Sequence, residues 1–148
     1  MSLPDKPDSP AAGLSLLVVE DHEFQRRMMV EMLEGLGAQA VHEAVDGAQA
    51  LALTRDDGLA FDVIVTDIDM PGVDGMALIR NLGEANIAAS LIISSGLDRA
   101  LLQSIGTMSA AYGLRLLGTI EKPASPDRFA ELIARHSPVR RAVARAVA

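Results

Sequence analysis

Polar side chains that could bind and transfer a phosphoryl group follow four short apolar runs of the sequence. They are Glu20 and Asp21, Asp67, Ser94 and Ser95, and Lys122. Apolar runs that end at such residues are typical of buried strands, and the carboxyl ends of parallel strands open on one edge of a sheet. We therefore expect these groups to converge there. A carboxylate oxygen of Asp67 could then attack phosphorus and form an acyl phosphate.

Three carboxylates crowded at one edge repel one another, and a divalent cation would relieve that repulsion. Oxygen ligands in a chain without cysteine suit Mg²⁺, which prefers a carboxylate pair together with a phosphate. A hydroxyl and an ammonium would complete the cradle, since phosphoryl transfer needs mainly positioning and charge neutralisation. Lys6 and Lys122 are the only lysines among 13 basic residues, which favours a specific role for the Lys122 ammonium.

The spacing of apolar residues predicts a strand followed by a helix, repeated five times. The predicted strands span 14–19, 38–44, 61–66, 88–94 and 114–120. Asp74 is expected to cap the third helix, and Ser125 with Pro126 should open the last, which ends by Pro138. Alternation with short connections predicts an α/β fold with a doubly wound parallel sheet.

Length and composition predict one folded domain with short extensions. The chain has 148 residues, of which 49% are hydrophobic, and a net charge of −7 that disfavours nucleic-acid binding. We expect a flexible leader at 1–12, the domain at 13–136, and a basic tail at 137–148 that could begin a linker to an output domain. The N-terminal stretch lacks the charged-then-apolar order of a signal peptide, and no apolar run approaches the ~20 residues of a membrane span, so a cytoplasmic protein is expected.

Four blocks of the sequence, taken together, resemble the receiver domain of two-component response regulators. They read VVED at 18–21, VTDIDMPGVDG at 65–75, ISSG at 93–96 and EKP at 121–123. The resemblance covers roughly residues 14–136. It implies a flavodoxin-like (βα)₅ fold with strand order 2-1-3-4-5. It also implies a sensor histidine kinase or phosphotransfer protein as partner, and a switch on the face of the fourth helix.

The resemblance assigns a role to each candidate site residue. The implied magnesium ligands are Glu20, Asp21 (the direct ligand of the acidic pair), Asp67 and the backbone carbonyl of Asp69. Asp67 is also the implied phosphoacceptor. Ser95 resembles the hydroxyl that follows the phosphoryl group, and Lys122 resembles the ion-pair partner of that group.

Two departures from the family pattern concern how phosphorylation is read out. Thr119 stands where many receivers carry an aromatic switch residue, and the spacing from Ser95 to Lys122 is longer than usual. The extra length falls at 98–112 and 113–117. The blocks 96–99 and 116–123 resemble receivers that precede EAL-type cyclic-di-GMP phosphodiesterase domains, which implies an output domain of that type.

Two other functions stay open from the sequence. Asp67 and Asp69 form a pattern similar to that of haloacid-dehalogenase-type phosphatases, although that motif belongs on the first strand of its fold rather than the third. A degenerate receiver that serves as a dimerisation module is the other alternative, and homodimer formation is left open.

Overall fold

A computed structural model describes residues 9–56, 58–67, 75–85, 87–94 and 99–136. The five strands are β1 (Ser15–Val19), β2 (Ala40–Ala44), β3 (Val63–Asp67), β4 (Ser90–Ser94) and β5 (Arg115–Ile120). Helices follow them in turn: α1 (Glu23–Gly35), α2 (Gly47–Thr54), α3 (Gly75–Glu84), α4 (Arg99–Ala111) and α5 (Pro126–Ile133). The strands form one sheet in the order β2-β1-β3-β4-β5, and all their pairings are parallel. The predicted flavodoxin-like fold is therefore confirmed.

The sheet is buried on both faces, which explains why its central strands read as continuous apolar runs. On one face, Leu17 and Ile64 pack with apolar residues of α2, α3 and α4. On the other face, Leu16 and Val63 pack with apolar residues of α1 and α5. Alternate residues of each strand therefore serve opposite cores, as the pleat requires.

Strand register aligns the carboxyl ends of the strands. Val19 lies opposite Thr66, Asp67 lies opposite Ser94, and Ser94 in turn lies opposite Ile120. Residues that directly follow β1 and β5 are therefore delivered to the same edge as Asp67.

Side-chain caps fix where the helices begin. Asp46 accepts a hydrogen bond from the N–H of Gln49 and so caps α2. Ser125 caps α5 by accepting from Arg128 N, with a proline in the first turn, as predicted. Asp74, the predicted cap of α3, lies outside the described residues, as does Pro138. The last helix already ends at Ile133, so Pro138 does not set its end.

A β-bulge shapes β5 within the region that the sequence marks as enlarged. Leu91 pairs with Leu116, whereas Ile92 pairs with Gly118, so Leu117 is an extra residue in the ladder. Gly118 has a φ of +154°, and a Cβ there would lie 2.5 Å from Leu132 Cδ2. Glycine is needed at this position because a side chain would enter the packing against α5.

The packed body begins before residue 13, where the leader was expected to end. Ala11 is fully buried and donates its N–H to the carbonyl of Leu36, and Ala12 forms an antiparallel bridge with Ala38. Residues 9–12 therefore belong to the folded part. Among the described helices, none has the length and apolar character that crossing a membrane requires.

Candidate functional site

Three acidic side chains from two strand ends meet at the carboxyl edge of the sheet. Glu20, Asp21 and Asp67 each offer a carboxylate oxygen, and these oxygens all lie within 4.8 Å of one another. Asp67 is the last residue of β3, whereas Glu20 and Asp21 follow β1 directly. Glu20 and Asp67 are buried and Asp21 is exposed. The predicted convergence of these acids is thus present in the fold.

Contacts from separate parts of the chain hold both the backbone and the carboxylate of Glu20. Its N–H donates to the carbonyl of Ala44 in β2 at 3.0 Å. Its carboxylate accepts from the N–H of His22 at 3.1 Å through Oε2, while Oε1 lies 2.9 Å from Lys122 Nζ. Burial raises the pKa of Glu20, and the contacts with His22 and Lys122 oppose that rise.

Lys122 links the two buried acids of the site. Its ammonium donates to Asp67 Oδ2 at 2.7 Å and lies 2.9 Å from Glu20 Oε1. Burial lowers the pKa of Lys122, but the hydrogen bonds to Asp67 and Glu20 outweigh that effect and place the pKa above its usual value. Lys122 is therefore held in its charged form between two carboxylates. The lysine picked out by composition lies at the centre of the site.

Two further candidates fall outside the described part of the chain. The hydroxyl of Ser95 and the carbonyl of Asp69 stay predictions. The neighbouring Ser94 ends β4, and its buried Oγ has no hydrogen-bond partner among the described residues. Thr119, at the position of the missing aromatic, is half-buried, and its backbone carbonyl accepts from Arg128 Nε at 3.1 Å.

Sequence reasoning missed two residues that hold the acidic loop, which is the segment of Glu20 and Asp21 between β1 and α1. Arg26 in α1 donates through Nη1 to the carbonyl of Glu20 at 3.0 Å and through Nε to Glu43 Oε1 at 3.0 Å. Glu43 lies on β2, beside β1. The sequence did contain a signal for this contact. Arg26 lies one turn into the helix that follows the acidic pair, and Glu43 lies on the next strand along the chain. The pairing itself depends on the strand order.

The acidic cluster fits a divalent cation by the chemistry of its donors. All three groups are carboxylates, two are buried and paired with an ammonium, and Asp21 leaves the site accessible from solvent. Hard cations such as Mg²⁺ favour carboxylate oxygens and retain several waters. The exposed carboxylate of Asp21 gives such a cation contact with solvent.

An apolar cavity of about 340 Å³ opens beside the acidic cluster, between α1 and the connection that precedes α5. Its walls include Phe24, Met28, Met32 and Pro123, and Lys122 lies at the end nearest the acids. Phe24 is 68% exposed, which is unusual for a large apolar side chain. The rim of the site therefore offers an apolar contact surface next to its charged centre.

Known proteins resemble this chain over its domain but extend well beyond it. The family described as the response regulator receiver domain matches residues 16–134. Cyclic di-GMP phosphodiesterase RocR of Pseudomonas aeruginosa is 35% identical over 124 residues, which are 84% of this chain and 31% of RocR. Virulence sensor protein BvgS of Bordetella pertussis is 42% identical over 82 residues, covering 55% of this chain and 6% of BvgS. The chain thus spans less than a third of either relative.

A solved structure agrees with these sequence matches. The receiver domain of the Francisella response regulator 1452 superposes with a TM-score of 0.67 and 28% identity, covering 82% of this chain and 93% of that one. The matched range covers most of the chain and includes Glu20, Asp67 and Lys122. The chain therefore belongs to the response regulator receiver domain family.

Proposed function

We propose that this chain is the phosphoacceptor domain of a two-component response regulator and that Asp67 receives the phosphoryl group. The observation that carries the proposal is the position of Lys122 Nζ, 2.7 Å from Asp67 Oδ2, beside an acidic cluster suited to Mg²⁺. An acid, a cation site and an ammonium at one sheet edge meet the positioning and charge requirements of phosphoryl transfer. The donor is a sensor histidine kinase or a phosphotransfer protein.

In the proposed step, a carboxylate oxygen of Asp67 forms a bond to phosphorus. The bond between phosphorus and the imidazole nitrogen of the donor breaks, and its electron pair stays on that nitrogen. Lys122 turns from the Asp67 carboxylate towards the phosphoryl oxygens, and the Ser95 hydroxyl donates a hydrogen bond to one of them. Mg²⁺, held by Glu20, Asp21, Asp67 and the carbonyl of Asp69, would neutralise charge on the phosphoryl group.

The apolar cavity supports a protein donor rather than a small molecule alone. A phosphohistidine on a helix needs a contact surface next to Asp67, and Phe24 with the α1 methionines supplies one beside Lys122. Methionine side chains adapt to different partners because they are flexible and polarizable. We expect the acyl phosphate on Asp67 to be lost by hydrolysis, in which water attacks phosphorus and the Asp67 carboxylate leaves.

Phosphorylation is proposed to control an output domain, with EAL-type cyclic-di-GMP hydrolysis as the regulated activity. The support is the 35% identity to RocR, which is itself a cyclic di-GMP phosphodiesterase. The test is to compare cyclic-di-GMP hydrolysis by the gene product that carries this domain with and without beryllofluoride. An activity that responds in the parent protein but not in Asp67→Asn supports the proposal, and an unchanged activity contradicts it.

The phosphoacceptor role itself is tested by mass spectrometry. The chain is incubated with Mg²⁺ and acetyl phosphate, and the modified peptide is sequenced after borohydride trapping. We expect modification at Asp67 and its loss in Asp67→Asn. Asp62→Asn is the control, because Asp62 is equally buried but precedes β3 at the opposite edge of the sheet. Absence of modification with every donor would overturn the proposal.

The phosphatase and dimerisation alternatives gain no support from the described structure. Asp67 ends the third strand rather than the first. The acids and Lys122 are assembled in one site, which a degenerate module would not need.

A further inference from the structure

We propose that Arg26 is a positioning residue for the metal site, acting through the peptide bond that joins Glu20 to Asp21. The assignment rests on the proposed function and adds to it a residue that touches neither the metal nor the phosphoryl group. Its basis is the hydrogen bond from Arg26 Nη1 to the carbonyl oxygen of Glu20, at 3.0 Å.

That carbonyl belongs to the peptide plane between the two acids. The N–H of Glu20 is already held by Ala44 of β2 at 3.0 Å, so the chain is fixed on the strand side. Rotation about ψ of Glu20 would move this carbonyl oxygen and all of Asp21 with it, so the Asp21 carboxylate would swing. The bond from Arg26 restrains that rotation. It thereby sets where Asp21 lies relative to Glu20 and Asp67.

Arg26 is itself held in place by a second contact. Its Nε donates to Glu43 Oε1 at 3.0 Å, and its side chain is only 12% exposed. A guanidinium is planar and carries several donors in a fixed fork, so one bond to β2 orients the other towards the Glu20 carbonyl. Glu43 therefore fixes the orientation of the Arg26 guanidinium, which in turn holds the segment that contains Glu20 and Asp21.

Removal of Arg26 has opposite expected effects on Mg²⁺ affinity, depending on whether Arg26 acts through its charge or through positioning. A cation near a Mg²⁺ site repels the metal, so removal of the positive charge should tighten binding. Loss of positioning should weaken binding, because the crowded carboxylates are then no longer held in a common geometry. The sign of the change therefore separates the two roles.

The test is Mg²⁺ titration by calorimetry of Arg26→Met, with Arg27→Met as the matched control. Arg27 is the exposed neighbour on α1, and its removal deletes the same charge. Loss of a residue that orients metal ligands typically weakens metal affinity by about 10-fold, and we expect that loss in Arg26→Met. In Arg27→Met we expect unchanged or slightly tighter binding. Arg26→Lys, which keeps the charge but lacks the fork, should weaken binding in the same direction.

A kinetic readout distinguishes positioning from a merely structural role. With acetyl phosphate as donor, Arg26→Met should need more Mg²⁺ for half-maximal modification of Asp67 but should approach the parent rate at saturating Mg²⁺. Arg26→Lys serves in the same assay if Arg26→Met does not fold. Parent-like or tighter Mg²⁺ binding in a folded Arg26 variant would overturn the inference. If the parent chain itself binds no Mg²⁺, it is the proposed function that fails.

Discussion

Lys122 Nζ lies 2.7 Å from Asp67 Oδ2, so the ends of β5 and β3 are joined by an ion pair. Glu20 Oε1 lies 2.9 Å from the same ammonium. One cation thus serves two buried carboxylates from separate strands. The arrangement places one positive charge between two carboxylates and keeps Lys122 next to the proposed position of phosphoryl transfer.

Substitution of Lys122 by methionine is expected to destabilise the metal-free protein. The Glu20 and Asp67 side chains, 1% and 4% exposed, would lose their ammonium. Breaking a fully buried pair costs 3–5 kcal/mol, and we expect ~2 kcal/mol here because Lys122 is partly solvated. Urea unfolding in EDTA measures the loss. The control is Glu131→Gln, which removes the exposed ion pairs with Arg128 and Arg135 and should cost less than ~0.5 kcal/mol. Equal losses in both variants would contradict the prediction.

Magnesium is expected to stabilise the parent chain through Asp21. A ligand that binds only the folded state, present at 100 times its Kd, adds about 2.7 kcal/mol to the free energy of unfolding. Asp21→Asn should lose most of this gain, because an amide oxygen is a weaker ligand for a hard cation than a carboxylate. Thermal unfolding with Mg²⁺ and with EDTA gives the two values. Asp127→Asn, at an exposed position in α5, should respond to Mg²⁺ as the parent does.

The raised pKa of Glu20 predicts a distinct pH dependence of stability without metal. Above its usual pKa of 4.5 the unfolded chain has released this proton, whereas the folded chain still holds it until its own higher pKa is passed. The folded state then binds more protons, so the contribution of Glu20 to stability falls as pH rises through that interval. Glu20→Gln lacks this contribution.

The measurement is the unfolding free energy of both proteins in EDTA at a series of pH values that starts below 4.5, the usual pKa of this carboxyl, and rises above it. The free energy of unfolding of Glu20→Gln should rise relative to that of the parent as pH rises above 4.5. A difference that stays constant over this range would refute the assigned shift.

Close packing of α3 on α4 predicts that Gly83 does not tolerate alanine. A Cβ at Gly83 would lie 2.3 Å from Cβ of Tyr112, which directly follows α4, so α3 or the end of α4 must move. Alanine is the better helix former by ~1 kcal/mol, yet overpacking should dominate and lower stability by about 1–3 kcal/mol. The matched control is Gly35→Ala at the end of α1, where no atom lies within 4 Å. Chemical denaturation should show that this variant is as stable as the parent or more so.

The fold could be predicted from local patterns because each element carries its own signal. The apolar run that became β3 and the helical spacing of Met29 and Leu33 in α1 report burial within a few residues of chain. The observed strand ends differ from the predicted ones by two residues at most. Ala11 was assigned to the leader because a Pro- and Asp-rich composition does not reveal a contact with Leu36.

The sequence by itself determined the alternation of strands and helices along the chain, the family resemblance, and the identity of the acids and Lys122 as candidates. Only the tertiary structure decided that one ammonium serves both Glu20 and Asp67, and that Arg26 with Glu43 holds the acidic loop. Lys122 and Asp67 are 55 positions apart in the chain. Periodicity reports which residues are buried over one helix turn or strand, whereas contacts over such separations depend on strand order and register, which the packing of the whole sheet decides.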